Sequence, residues 1–437
     1  MSTETAREPK TARPSRRPWT LAALAMTMGL ALYLTWRATL SGLPDIGDPF
    51  DIAAFADARV ADDDNAFVLY RQAVAKLEKE RGSDSNYDWA TATESKRRWL
   101  AANAEPLRLW RRGTERPDAL YIPPRTMTFA TMLPVIQDIR IFGRLARLEG
   151  SRLEAEGDLS GALGWYVAIL RSGKHCGRRG FIIERLVGIS LTTVASARID
   201  RWATDPRVDA VLLRRALADA IAAEAMTPPS SDMLKCEYVS FLNSLDDPAL
   251  MESALLANSA PGPRIAPGLR KSLDAARRVL RREPERSRRV LRLVFANWLA
   301  YCDLPPDRRP PAVVPNPPAG QDPELSLLND LFALDATAPA AARALPPADL
   351  ARWHRTTLYT SAALPDFKPA RKAIDRERTT GANLLIRIAN EIHRRDHGDY
   401  PATVEELVGP YLKALPGGYK PAGDEGLISN PKSQISR

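Results

Sequence analysis

The side chains best equipped for chemistry are the four histidines, His175, His354, His393 and His397, and the three cysteines, Cys176, Cys236 and Cys302. His393 and His397 stand four residues apart with Asp396 beside them, a spacing that brings both rings to one side of a helix and could hold a metal. A zinc hydrolase of the His-Glu-x-x-His type needs a glutamate as general base, and here Arg394 holds that place. Arg394 and Arg395 would also repel a cation. The pair reads first as a solvated helix end, with an envelope hydrolase carrying a metal near His393 and His397 as the alternative.

His175 and Cys176 have the composition of a thiol dyad, but neighbours on a helix point about 100° apart, so packing is the expected role of both. The cysteines are too few and too widely spaced for a disulfide framework or a zinc knuckle. Their odd number leaves at least one thiol free, and one bridge stays open. Asp62, Asp63 and Asp64 could ligate calcium, yet no spaced ligand loop follows them, and helix capping accounts for them. Serine elbows, phosphate-cradling glycine loops, dinucleotide fingerprints and Cys-x-x-Cys pairs are absent. No catalytic residue and no cofactor site is therefore expected.

Basic side chains are the other chemical resource. The chain of 437 residues carries 62 Lys plus Arg against 53 Asp plus Glu, a net charge of +9, and arginine dominates, fifty to twelve. Arginine, alanine and proline abundance together fit a GC-rich genome. The densest cluster holds Arg270, Lys271, Arg277, Arg278, Arg281, Arg282, Arg288 and Arg289, on two predicted amphipathic helices divided by Pro284. Such a face could meet anionic lipid or an acidic partner. A solvated arginine face on a packed helix is the simpler reading.

The elements that position these groups begin with residues 18–36, which contain no charge and are flanked by Arg16, Arg17 and Arg37. A helix needs roughly 20 apolar residues to cross the ~30 Å hydrocarbon layer, so this run predicts one transmembrane helix. Basic residues precede it and Asp45, Asp48, Asp51 and Asp57 follow. The positive-inside rule then predicts a cytoplasmic basic tail over 1–17 and an exported domain beyond the inner membrane. An uncleaved anchor fits better than a signal peptide, because the apolar core is long and Trp36-Arg37-Ala38 offers no small-x-small cleavage site. Ser15-Arg16-Arg17-Pro18-Trp19 resembles a twin-arginine signal, although Thr20 and Leu21 depart from that pattern. Nucleic acid is not expected as a partner of an exported domain, and an unknown envelope protein is.

Beyond the anchor, apolar spacing predicts a mostly α-helical domain over 41–300, a Pro/Ala-rich linker region over 301–350 and a C-terminal helical unit over 351–437. Predicted helices run from Asn65 towards Glu80, from Glu94 to Arg112, around Val135–Leu153 and over Ala162–Leu170. A nearly apolar helix over Phe181–Ala197 has only Glu184 and Arg185 charged, and helices over Val208–Ala225 and Leu234–Leu245 follow. Gly150, Leu153, Gly157, Ala162 and Tyr166 resemble the small, large, turn, small and aromatic positions of one tetratricopeptide unit. Lys174 stands at its usual terminal proline, and no second copy follows at the repeat period.

From about Pro369 to Arg395 a long helix leads into His397-Gly398-Asp399-Tyr400-Pro401. Thr403 with Glu406 then has the spacing of a capping box for a returning helix. This tail, with the segment DDDNAFVLYRQA, resembles uncharacterised membrane-anchored helical proteins of planctomycete-type bacteria. The resemblance implies architecture and no assigned activity. A looser likeness of the tail to secretion pseudopilins fails on the missing prepilin start before the apolar helix and on the length of the chain. The composite expectation is a membrane-anchored interaction or scaffold protein of the cell envelope.

Overall fold

The computed structural model describes residues 17–38, 45–80, 86–247, 249–251, 253, 282–309 and 367–419. They are mostly helical, and among them there is no strand, only two isolated bridges, Asn65 with Asp118 and Val408 with Leu412. His354, the segment 270–281 and residues 310–350 of the Pro/Ala-rich linker region lie outside the described residues.

Helix α1 runs over Arg17–Ala38, where the sequence places the apolar span. The expected crossing is corrected here: no helix among the described residues is long and apolar enough to span a membrane. The side chains over residues 22–34 are exposed along the whole of that stretch. Within that stretch Thr27 turns its hydroxyl back onto the Ala23 carbonyl at 3.0 Å.

After the short α2 (Ile52–Ala56), α3 (Ala66–Ala75) begins at Asn65, whose Oδ1 accepts the Phe67 N–H at 3.1 Å. The same oxygen accepts the Leu120 N–H at 3.0 Å, so the cap also ties down a distant loop. The single helix expected over Glu94–Arg112 is two, α4 (Glu94–Ala102) and α5 (Ala104–Thr114). Pro106 cannot donate to the Ala102 carbonyl. Asn103 turns its side chain to the chain end of α3 instead, donating to the Glu78 carbonyl at 3.0 Å and accepting the Glu78 N–H at 2.9 Å.

The expected helical hairpin is α6 (Pro134–Glu156) and α7 (Leu159–His175), joined at Gly157 with φ +87°. Asp158 caps α7 through the Gly161 N–H at 2.8 Å. A Cβ on Gly150 would lie 2.4 Å from Tyr166 Cε1, so α6 passes over a tyrosine that only glycine admits. Tyr166 is fully buried and its hydroxyl donates to Glu154 at 2.8 Å.

Then come α8 (Ile182–Ala203), α9 (Ala210–Ala225) and α10 (Ser230–Leu245), followed by α11 (Glu283–Tyr301), with Pro284 in its first turn. The long C-terminal helix α12 (Phe367–His397) packs on both α8 and α9. It belongs to two apolar cores at once. Leu384, Leu385, Ile388 and Ile392 join the core of α3 and α5 to α9, while Phe367, Ala370 and Ile374 join that of α10 and α11.

The returning helix expected after Thr403 is a single 3-10 turn, Val404–Leu407, and Thr403 makes no side-chain cap bond. Gly409 at φ +97° and Pro410 stop it after that turn. Leu407 and Leu412 still reach the core.

Gly150→Val forces a branched side chain into a buried, hydrogen-bonded tyrosine. It is expected to destabilise the fold by about 1–3 kcal/mol, read as a lowered midpoint in urea unfolding, whereas Gly29→Val on exposed α1 leaves the midpoint in place.

Candidate functional site

At the waist between the two cores lies a cluster of buried charge. Lys174 is the next-to-last residue of α7 and Arg185 sits in the first turns of α8, with both side chains closed off from solvent. Glu377 of α12 stands between them. Lys174 Nζ donates to Glu377 Oε1 at 3.1 Å and lies 3.1 Å from the Glu224 carboxylate of α9. Arg185 Nη1 reaches Glu377 Oε1 at 3.3 Å, and Nη2 pairs with Oε2 in a fork. Burial pulls the Glu377 pKa up, but Arg185 and then Lys174 outweigh it and hold the carboxyl below its usual range.

This cluster forms one wall of a cavity of about 490 Å³. Arg378, Thr227, Ser230 and Asp303 add polar groups, and Ile374, Ala382, Leu385 and Pro416 an apolar side. Among the described residues, Arg185 Nε and Arg378 Nη1 are buried without a hydrogen-bond partner. Sequence reasoning missed these residues. The available signals were Arg185 on an otherwise apolar helix and Lys174 at the position of a hairpin proline.

A second buried group surrounds the start of α8. Glu184 Oε2 accepts the Phe181 N–H at 2.6 Å and Glu237 Oε1 accepts the Ile182 N–H at 3.0 Å. Two carboxylates therefore satisfy two orphan donors of one helix start. Burial lifts both pKa values to about 7, and Glu237 adds repulsion at Glu184.

The histidines fall into two environments. His175 is fully buried, with Nε2 3.0 Å from the Arg116 carbonyl and Nδ1 2.8 Å from the Tyr70 hydroxyl. Nε2 thus donates, Nδ1 accepts, and burial drives the pKa to about 3. Cys176 is buried with its thiol pushed well up, so no thiolate forms there. All three cysteines are free and buried. His393 and His397 do face each other, with ring centroids 4.4 Å apart, but His393 Nδ1 is taken by the Asp399 carbonyl at 2.9 Å. Asp396 binds Arg214 and Tyr411 instead. Among the described residues no group of three metal-ligating side chains gathers.

The described part of the basic cluster is largely paired within the protein. Arg288 meets Asp246 at 3.1 Å and Glu285 at 3.4 Å, and Arg289 meets Glu285 at 2.9 Å. Arg292 binds Asp45 at 2.6 Å and Asp48 at 3.0 Å, which fixes residues 45–48 to α11.

The described residues form a mostly helical protein with a charge-walled cavity between two cores. No family model matches the chain, and neither a curated protein nor a solved structure matches it.

Glu377→Ala leaves Lys174 and Arg185 buried without their shared carboxylate and is expected to cost about 3–5 kcal/mol, read by urea unfolding at neutral pH. The raised Glu184 and Glu237 bind protons more tightly folded than unfolded, so their stabilisation is complete below about pH 4.5 and declines as pH rises towards 7. The E184Q/E237Q variant keeps an acceptor for each backbone N–H. It is expected to gain on the order of 1–3 kcal/mol over wild type at pH 8 and nothing at pH 4, in melts taken across that range.

Proposed function

We propose that this chain is an interaction or scaffold protein of the cell envelope, tethered to a membrane through α1 with its helical body on the exported side. The observation that carries the reading is the exposure of α1. Every side chain placed over 22–34 is exposed, and Leu24, Met26, Met28, Leu30, Leu32 and Leu34 are among the most exposed large apolar residues of the protein. An apolar helix surface of that extent is costly in water and is relieved in lipid.

The base of the tether supports the same reading. Asp45 and Asp48 bind Arg292, Tyr238 donates to Asp48 at 2.8 Å, and the Phe50 ring packs edge-on against Tyr238 at 5.5 Å. Residues 45–50, a few positions after α1 in the sequence, are thus fixed to the body. A tethered body with hairpin architecture presents surfaces to a second protein, and that is the role proposed for it.

Vesicle flotation tests the tether. The full chain is expected to float with phosphatidylglycerol vesicles, and L24R/L30R to remain at the bottom of the gradient. Equal flotation of both, or of neither, overturns the reading. A pull-down from detergent-solubilised membranes is expected to recover a specific envelope protein, and recovery of none at any salt concentration removes the scaffold role.

A further inference from the structure

We propose that His393 and His397, at the C-terminal end of α12, form an open two-imidazole site for a divalent transition-metal ion, with copper(II) preferred. The inference stands independently of the membrane tether.

The two rings lie one helical turn apart with centroids 4.4 Å from each other, and both are open to solvent, His397 exposed and His393 half-buried. An ion arriving from outside meets the pair together. The second support is the tautomer. His393 Nδ1 lies 2.9 Å from the Asp399 carbonyl, which can only accept, so Nδ1 carries the proton and Nε2 the lone pair. A carbonyl behind one ring nitrogen is the arrangement that orients a metal-ligating histidine and raises its basicity. The Tyr411 ring stands edge-to-face with the same imidazole, centroids 6.2 Å apart, and its hydroxyl is anchored to Asp396 at 3.0 Å. The His393 ring is thus oriented before any ion arrives.

The arginines that argue against a cation in the sequence are engaged with other groups in the fold. Arg394 and Arg395 both bind Glu391, at 2.7 and 2.6 Å, and Arg395 also donates to the Asp205 and Val208 carbonyls at 3.0 and 3.2 Å. Arg214 pairs with Asp396 at 2.6 Å. What remains is the field of the helix end, whose unpaired carbonyls favour positive charge. Ligand type then selects the ion. Neutral imidazole suits copper, nickel and zinc, whereas magnesium and calcium take oxygen ligands. With two nitrogens from the protein and water in the remaining positions, affinity follows the general order in which copper(II) exceeds zinc. Glu391 and Asp396 are committed to arginines, so the role proposed is binding and not hydrolysis.

Calorimetric titration of the full chain with copper(II) chloride and zinc chloride, joined to the EPR spectrum of the copper form, is the test. One equivalent of copper(II) is expected to bind in the micromolar range, more tightly than zinc, with hyperfine coupling to two imidazole nitrogens and no competition from excess magnesium. H397Q alters an exposed side chain and is expected to melt with wild type, to weaken copper binding at least about tenfold and to lose one nitrogen from the spectrum. H354Q is expected to bind as wild type does. Unchanged affinity in H397Q, loss of binding in H354Q, tighter binding of zinc than of copper, competition by magnesium, or no saturable copper binding in the micromolar range would each overturn it.

Discussion

The buried triad of Lys174, Glu377 and Arg185 is the constraint on which the rest of this structure depends. It ties α12 to the consecutive helices α7 and α8, about two hundred positions earlier in the chain, and it sits where the two apolar cores meet, beside Leu385 of one and Ile374 of the other. Desolvating three charges is costly, and only mutual pairing with good geometry offsets that cost. The register of α12 is set accordingly. A shift of one residue would carry Glu377 away from both cations and would remove Ile374 and Ile388 from their separate cores together.

The same logic of buried polarity met by a specific partner runs through the larger core. Tyr70, His175 and the Arg116 carbonyl form a chain of hydrogen bonds beneath the Trp110 ring, which stacks on Phe142 with centroids 6.0 Å apart. Arg198, only 5% exposed, reaches Glu154 at 3.2 Å and the Tyr166 hydroxyl at 3.1 Å. At the start of α8, Glu184 and Glu237 serve two backbone donors. Each arrangement uses a titratable group for architecture, and His175 and Cys176, adjacent in sequence and suggestive of catalysis, are locked into packing by burial.

Much of the fold was legible in the residues. The apolar spacing of α3, α6, α7 and α8 to α10 appears within a few residues of where those helices run, and Gly157 and Gly398 end their helices as their backbone freedom allows. The misreadings have local causes. Pro106 and the side chain of Asn103 divide a continuous apolar stripe into α4 and α5. Gly409 and Pro410 reduce a capping-box sequence to one turn. The apolar run that reads as a membrane crossing becomes α1, yet no described helix is long and apolar enough to cross.

What the sequence by itself determined is the set of helices, the faces they bury and the exposed apolar stretch at the N-terminal end, because those follow from side-chain periodicity and from the turn preferences of glycine and proline. Only the tertiary structure decided the pairing of Lys174 and Arg185 with Glu377, about two hundred positions away, and the cavity beside them. A long-range ion pair leaves no periodic trace: a charged residue on an apolar helix signals that a partner exists, and the packing of other helices fixes which one it is.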